Sequence, residues 1–474
     1  MERVLSGRGG HVPSVPILSP SDLKTLHQVF DSCGYDRELS QQNSEGLEVL
    51  TSLFARGLSV ELEQARRTFH PLDLDRLIAS GLLYEEKDEL KARFQAQRYG
   101  GLIFFSDFFR WETDKGFVLS IGPAGNYLAR LTIRRQVEST LDLGCGCGIQ
   151  SLLAARHSDK VTATDINPRA LALTRLNAEL NDIHNIETRQ GSYFEPVNGQ
   201  RFDLIVANLP YVITPEKRLI YRNVDQPGDA GTHKRIKEIP AYLKEGGFAQ
   251  ILINWIHGKS QEPSEPICKT IANQGVDAWL IQNGSKQPDE YAGMWLKQQT
   301  QSDLRKFKKT KQDWLRWYQN NHIERIALGA ITLRRRSNGP NWFCSAEVNR
   351  TLEDQAAEQF LRLFAAQDYL TEIDDKNSLL NKIFTPLNLG FTGDENQPIA
   401  YANHGSRFEI KIHPTSKAIL QKLAEINSLE KVIRDFSQQS GFMTKEIQDD
   451  VLADIWKLLK LGMVVPSDAR QNIK

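Results

Sequence analysis

The chain has no surplus of charge. Lysine plus arginine and aspartate plus glutamate each number 59, so the formal net charge is zero. That argues against whole-surface steering toward nucleic acid or an anionic membrane and leaves only local patches. Long apolar runs are missing as well. No stretch approaches the roughly 18 residues of a membrane span, and the N-terminal MERVLSGRGGHVPSVPILSP lacks the continuous apolar segment of a secretory signal. Cysteine is scarce. Five cysteines in 474 residues support no disulfide framework, so a reduced, cytoplasmic protein with no membrane partner is the expectation. Cys145 and Cys147 form a C-x-C pair, but Cys33, Cys268 and Cys344 stand alone. The roughly four ligands of a zinc site are therefore not in view, and no metal is expected. His157, His184 and His257 have no matched partner in sequence, so none is given a catalytic role.

What is present is ordinary globular material: 40% hydrophobic and 25% charged residues. At about 150 residues per domain the length suggests roughly three domains. The first, 1–100, opens Gly/Pro/Ser-rich and turns helical at SPSDLKTLHQVFDSCG, where Ser21 is a cap, Leu23, Leu26 and Phe30 share a face, and Gly34 is a stop. Shorter helical patterns lie near 45–56 and 59–69. A further helix is stopped by Gly81, and two strand-like runs are joined near Lys87–Glu89. Helices followed by a small hairpin resemble a winged helix. The last region, 346–474, carries a strand and helix in RFEIKIHPTSKAILQKLAE, then two more helices. Its LLKLGMVVPS echoes LIASGLLYEE, each a helix stopped by glycine (Gly462, Gly81) before a strand. A second winged-helix-like, mainly helical module is expected there.

Between them, 101–345 alternates short apolar strands with helices: STLDLGC, KVTATDI, NIETRQGS, FDLIVAN and GFAQILIN. This is the βαβ rhythm of a parallel, doubly wound α/β sheet. VDAWLIQNGS and IERIALGAITLRRR add two strand candidates separated by a long insertion. In TLDLGCGCGIQSLLAARH, the glycines Gly144, Gly146 and Gly148 allow a tight turn and close backbone approach to a ligand. The next strand delivers Asp165, spaced to accept hydrogen bonds from ribose hydroxyls. A nicotinamide fold uses the same device, so this half alone does not separate two cofactors. The G-x-G-x-G spacing and the preceding Asp142, able to anchor the turn or a ligand's amino group, favour S-adenosylmethionine.

Asp142–Gly148, with Cys145 inside it, resembles motif I of class I S-adenosylmethionine-dependent methyltransferases. Asp165, followed by Ile166 in TATDINPRAL, resembles the family's ribose acid. Ser192, in QGSYFEP, stands where the family's third strand usually ends in an acidic residue that holds the adenine amino group, and Tyr193 is placed to lie against the adenine. Asn208-Leu209-Pro210-Tyr211, at the end of FDLIVAN, resembles the Asn-Pro-Pro-Tyr motif of amino methyltransferases, closest to the HemK-like glutamine methyltransferases and their "methyltransferase small domain" relatives. The resemblance covers roughly 100–260. It implies a Rossmann-like domain that uses S-adenosylmethionine.

In that family the asparagine side-chain oxygen and the next residue's backbone carbonyl accept the hydrogens of the reacting amino group. Here these would be Asn208, which also borders the cofactor, and Leu209. A neutral amide or base amino group is a poor nucleophile because its lone pair is delocalised, and two such acceptors favour the pyramidal form of the transition state. Pro210 restricts the turn and Tyr211 offers a face for a planar group. Leucine replaces the family's first proline, but the contact comes from the backbone. Pro227–Gly231 resembles a glycine-rich segment that follows the motif in HemK-like enzymes. The expected activity is N-methylation of an amide or amine, with a protein or peptide the preferred substrate. RNA is the first alternative, drawing on the basic stretches RKFKKTK (305–311) and RRR (334–336). A small-molecule methyltransferase that dimerises through its N-terminal module is the second.

Overall fold

A computed structural model describes residues 12–35, 44–109, 116–216, 228–297, 304–348, 356–373, 375–387, 389–403, 408–423, 428–441 and 443–467. The chain divides into two compact units, Met1–Ala129 with Arg135–Ser345, and Arg130–Arg134 with Ala346–Lys474.

In the first unit the N-terminal helix runs Pro20–Ser32. Its cap is Ser19 rather than Ser21: Pro20 takes the first helical position, where its missing N–H costs nothing, and the Ser19 hydroxyl accepts from Asp22 N–H at 3.1 Å. Leu23, Leu26 and Phe30 are buried. Helices Glu45–Leu50, Leu62–Phe69 and Leu74–Ala79 follow, then antiparallel strands Leu83–Glu86 and Glu89–Ala92. Lys87 and Asp88, both with positive φ, make the two-residue turn, and Gly81 (φ +84°) leads into the pair. A further antiparallel hairpin, Phe94–Tyr99 with Leu102–Asp107, follows directly. It packs with the preceding elements into one core shared with the helices Ile149–Ala154 and Pro168–Leu180.

We number the strands of that sheet β1 Val137–Leu143, β2 Ser158–Asp165, β3 Ile186–Gln190, β4 Phe202–Ala207, β5 Leu243–His257, β6 Val276–Lys286, β7 Arg325–Arg335 and β8 Phe343–Glu347. Its helices are α1 Ile149–Ala154, α2 Pro168–Leu180, α3 Ala230–Glu238, α4 Glu265–Ile271, α5 Pro288–Lys297 and α6 Leu304–Asn320. The strand order is 8-6-7-5-4-1-2-3. β3, β2, β1, β4 and β5 are mutually parallel, and β7 runs antiparallel between β5 and β6. The direction of chain growth reverses between β1 and β4, the switch point at which open α/β sheets take ligands at the strands' carboxyl ends. One core gathers α1, α2 and the N-terminal elements; another gathers α3, α4 and the strand centres.

The second unit, described by itself, contains helices Ala356–Thr371, Pro414–Leu423, Leu429–Ser440 and Thr444–Lys460. It also has a three-stranded antiparallel sheet, Leu389–Gly393, Pro398–Ala402 and Glu409–Lys411. Gly462 (φ +61°) follows the last helix, and Val464–Pro466 pairs with Phe384–Pro386.

Candidate active site

The ladder registers line up the three sequence motifs. Leu143 pairs with Thr164 on β2 and with Ala207 on β4. The next residues, Gly144, Asp165 and Asn208, therefore lie side by side at the carboxyl edge. With strands about 4.8 Å apart, Asp165 and Asn208 flank the turn roughly 10 Å from each other, suited to opposite ends of one ligand.

The turn is built by its glycines. Gly144, Gly146 and Gly148 have φ of +79°, +56° and +86°, a region that side chains disfavour. A Cβ on Gly148 would sit 2.9 Å from Thr174 on α2, whereas nothing lies within 4 Å of one on Gly146, so the turn opens outward there. Cys145 and Cys147 are buried within it, and burial pushes the Cys147 thiol up to about 12 and that of Cys145 well up. Among the described residues no group of three or more His, Cys, Asp or Glu is arranged to hold a metal.

The two acids differ. Asp165 receives Gly146 N–H at 3.0 Å and Asn167 N–H at 2.8 Å, one on each oxygen. Each oxygen retains acceptor capacity for a ribose hydroxyl. Burial raises its pKa. Asp142 is only 1% exposed, and the Ser151 hydroxyl on α1 donates to it at 2.5 Å. Burial pushes it up to about 7. It braces the turn from beneath. Beside Asp165, Ile166 is 51% exposed, an apolar side chain of the kind an adenine ring covers. The open turn, the two-acceptor acid and this uncovered apolar side chain fit S-adenosylmethionine.

Past β3, Gly191 N–H donates to the Asp165 carbonyl at 3.1 Å, which brings Ser192 beside the loop that carries Asp165. Tyr193 has φ +48°. Its ring lies under the Arg235 guanidinium at 3.9 Å, and both line a small cleft with Leu209, Pro210 and Tyr211. Arg235 is held by Glu238 at 2.7 Å.

At the end of β4, Leu209 is buried and packs on the turn: its Cδ2 lies 3.4 Å from where a Gly144 Cβ would stand. Asn208 is half-buried, and among the described residues neither its side chain nor the Leu209 carbonyl has a hydrogen-bond partner. Tyr211 is half-buried with its ring against Trp295, and burial pushes its hydroxyl pKa upward. Residues 217–227, with the first of Pro227–Gly231, lie outside the described residues. Asp229 accepts from Ile256 N–H at 2.7 Å and so ties the rest of that segment to β5.

Sequence reasoning did not single out Ser151, Arg169 or Arg235. Arg169 makes a two-pronged bond to Asp107, at 2.5 and 2.7 Å, and donates to the Pro13 and Gly116 carbonyls. Asn167 also donates to Gly116 O at 3.2 Å. The loop that carries Asp165 is thereby fastened to the N-terminal hairpin. An arginine directly after the Asn-Pro of a βα loop was the visible signal, but its partner lies 62 residues earlier.

A sheet ordered 3-2-1-4-5-7-6 through its first seven strands, with a glycine turn after β1 and an acid after β2, is a Rossmann-like arrangement similar to that of class I methyltransferases. Residues 123–261 match the family model for "Methyltransferase small domain". Among curated relatives, a putative protein N5-glutamine methyltransferase of Methanocaldococcus jannaschii is 36% identical over 131 residues, 26% of this chain and 66% of that one. A release factor glutamine methyltransferase of Salmonella typhimurium is 34% identical over 145 residues, 28% of this chain and 52% of that one. The chain thus spans about half to two thirds of the length of these two relatives. The solved M. jannaschii tRNA m1G37 methyltransferase aligns at TM-score 0.32 and 15% identity, over 54% of this chain and 64% of that one. At that score the likeness decides nothing about substrate.

Among the described residues no helix is long and apolar enough to cross a membrane.

Proposed function

We propose that this chain methylates a planar nitrogen of a protein or peptide, a side-chain amide such as glutamine, with S-adenosylmethionine as donor. The observation that carries the reading is the pair at the end of β4, the Asn208 side chain and the Leu209 carbonyl, unpartnered among the described residues and next to the glycine turn. The names of the relatives support an amide acceptor.

S-adenosylmethionine, when bound, supplies an electrophilic methyl group. Asp165 holds the ribose end, and the turn from Gly144 to Gly148 lets backbone approach the ligand. The Asn208 amide oxygen and the Leu209 carbonyl accept the two N–H groups of the acceptor, which localises its nitrogen lone pair. Tyr211 gives the flat group a face, and its raised pKa keeps the hydroxyl neutral, so it takes no proton. The work is positioning and electrostatics. We assign the regions 1–100 and 346–474 as recognition modules flanking 101–345.

RNA has less support as acceptor. Arg334 pairs with buried Asp277 at 2.5 Å, Arg336 lies 3.6 Å from it, and Arg335 donates to the Gln274 carbonyl. The RRR stretch is largely spent inside the fold.

Calorimetry on Asp165→Ala tests the cofactor site: binding is lost, and retained affinity would overturn the assignment. Asn208→Ala keeps S-adenosylmethionine binding and loses about 100-fold in kcat. Full turnover in that variant excludes the paired-acceptor mechanism.

A further inference from the structure

The stretch between β6 and β7 lies outside the segment matched by the methyltransferase family. It forms α5 and α6, and these share a core with the residues that follow Asn208-Leu209-Pro210-Tyr211. Val212, Ile213, Tyr291, Leu296, Trp314 and Tyr318 are buried together there. Tyr211 meets Trp295 edge to face, ring centres 6.2 Å apart at 62°. The contacts continue from Trp295 to Tyr291 at 6.2 Å, from Tyr291 to Tyr318 at 6.5 Å and from Tyr318 to Trp314 at 6.2 Å.

Hydrogen bonds fix the same loop. Ile213 N–H donates to Tyr291 Oη at 3.1 Å, and Tyr318 Oη donates to Ile213 C=O at 2.8 Å. Both backbone groups two residues past Tyr211 are thus gripped by tyrosine hydroxyls from the insertion. Trp314 Nε1 donates to Glu216 at 3.1 Å, and Asn254 of β5 donates to Tyr291 Oη at 2.7 Å. Loops after strands are commonly mobile, whereas an acceptor pair must be held to about 0.5 Å to favour one nitrogen geometry. A single buried hydroxyl anchored to both β5 and Ile213 meets that need. Trp295 and Tyr211 are each half-buried, and Tyr211 also lines the small cleft with Leu209 and Pro210. Two rings meeting at 62° make a corner that admits a flat group and crowds a bulky one.

We propose that the α5–α6 insertion is the acceptor-selecting element of this enzyme. Trp295 is the second wall, beside Tyr211, of a slot for a planar side-chain amide, and Tyr291 and Tyr318 are positioning residues for Asn208–Tyr211. This rests on the amide-methyltransferase reading above.

The test uses the full chain, with calorimetry of S-adenosylmethionine as the control for folding. The probe is a blocked glutamine, N-acetylglutamine N-methylamide, titrated by saturation-transfer NMR with S-adenosylhomocysteine present. Trp295→Ala weakens probe binding about tenfold and raises the acceptor KM by a similar factor, with cofactor affinity within about twofold, and Trp295→Phe restores most of the loss. Tyr318→Phe, which removes one hydroxyl and keeps the ring, lowers kcat about tenfold with KM little changed. Trp295→Ala with unchanged acceptor KM overturns the slot. A parallel fall in cofactor affinity shows a role in folding only and overturns it as well. The kinetic acceptor is whichever lysate fraction the wild type labels from methyl-labelled cofactor. A ribonuclease-sensitive label therefore sinks the amide reading, while Trp295→Ala still decides the insertion's part. A wild type that labels nothing overturns both.

Discussion

At the residue scale, two carboxylates one strand apart are put to different use by burial. Asp165 stays reachable and keeps acceptor capacity, whereas Asp142 is sealed under the turn with Ser151. Asp165 was legible from its distance along the chain past the glycines. The choice left open for Asp142, turn or ligand, was not, because Ser151 meets it only once α1 has folded. Ser192 and Tyr193 were harder still, since a loop residue's direction depends on φ, and Tyr193 takes an unusual +48°. Asp142 carries a pH signature. Burial raises its folded pKa to about 7 from the ordinary 3.8, so folding favours its protonated form. That contribution is complete below about pH 4 and is lost as pH rises through 7. Asp142→Asn removes the penalty of charging. Its melting temperature relative to wild type should therefore climb between pH 5 and pH 8, by an amount reflecting a few kcal/mol at most. A difference that stays flat across that range would show that Asp142 is not neutral in the fold.

At the element scale, periodicity and turn chemistry marked the helices of the N-terminal region, the last three helices of the C-terminal region and the parallel strands β1 to β5, but not the helix Ala356–Thr371. They did not mark the antiparallel insertion of β7 between β5 and β6, because strand order is settled by long-range pairing rather than by local pattern. The hairpin Phe94–Tyr99 with Leu102–Asp107 was likewise silent, and how it is held explains why. Its outer strand pairs with side chains instead of another strand. Asn177 on α2 accepts from Phe105 N–H at 2.8 Å and donates to Phe105 O at 2.9 Å and Cys147 O at 2.8 Å. One turn on, Asn181 does the same for Ile103, at 2.9 and 2.7 Å. Two asparagines thus imitate a β-ladder along a helix and knit the hairpin to the helix that follows Asp165. Asn177 is fully buried, so Asn177→Ala strands three polar partners and should destabilise the first unit by about 3 kcal/mol, while the half-buried Asn181→Ala costs about 1 kcal/mol. Thermal or urea unfolding of the two variants side by side checks the ranking. Equal effects would mean that the hairpin's backbone finds other partners.

At the scale of the whole molecule, the zero net charge bears on the acceptor. A nucleic-acid methyltransferase neutralises phosphates, and each contact adds to the salt dependence of binding. Here 59 cations meet 59 anions, and the one arginine triplet is engaged by Asp277, Gln274 and Gly275. On α6, Lys311 is paired with Asp289 at 2.9 Å and Arg316 with Asp313 at 2.6 Å, while Arg305, Lys308 and Lys309 stay exposed. A few exposed cations on one helix are an ordinary solvated face, and they cannot supply the 6 to 10 or so phosphate contacts of a tight nucleic-acid complex. The kcat/KM for the natural acceptor should therefore fall less than about tenfold between 50 and 200 mM salt, where an RNA acceptor bound through many phosphates would lose about a thousandfold. Charge-reversing Arg305, Lys308 and Lys309 to glutamate should leave that slope shallow, because screened charges contribute little at 0.15 M. A steep slope in the wild type that flattens in the triple variant would instead make this helix a nucleic-acid contact and move the acceptor from protein to RNA.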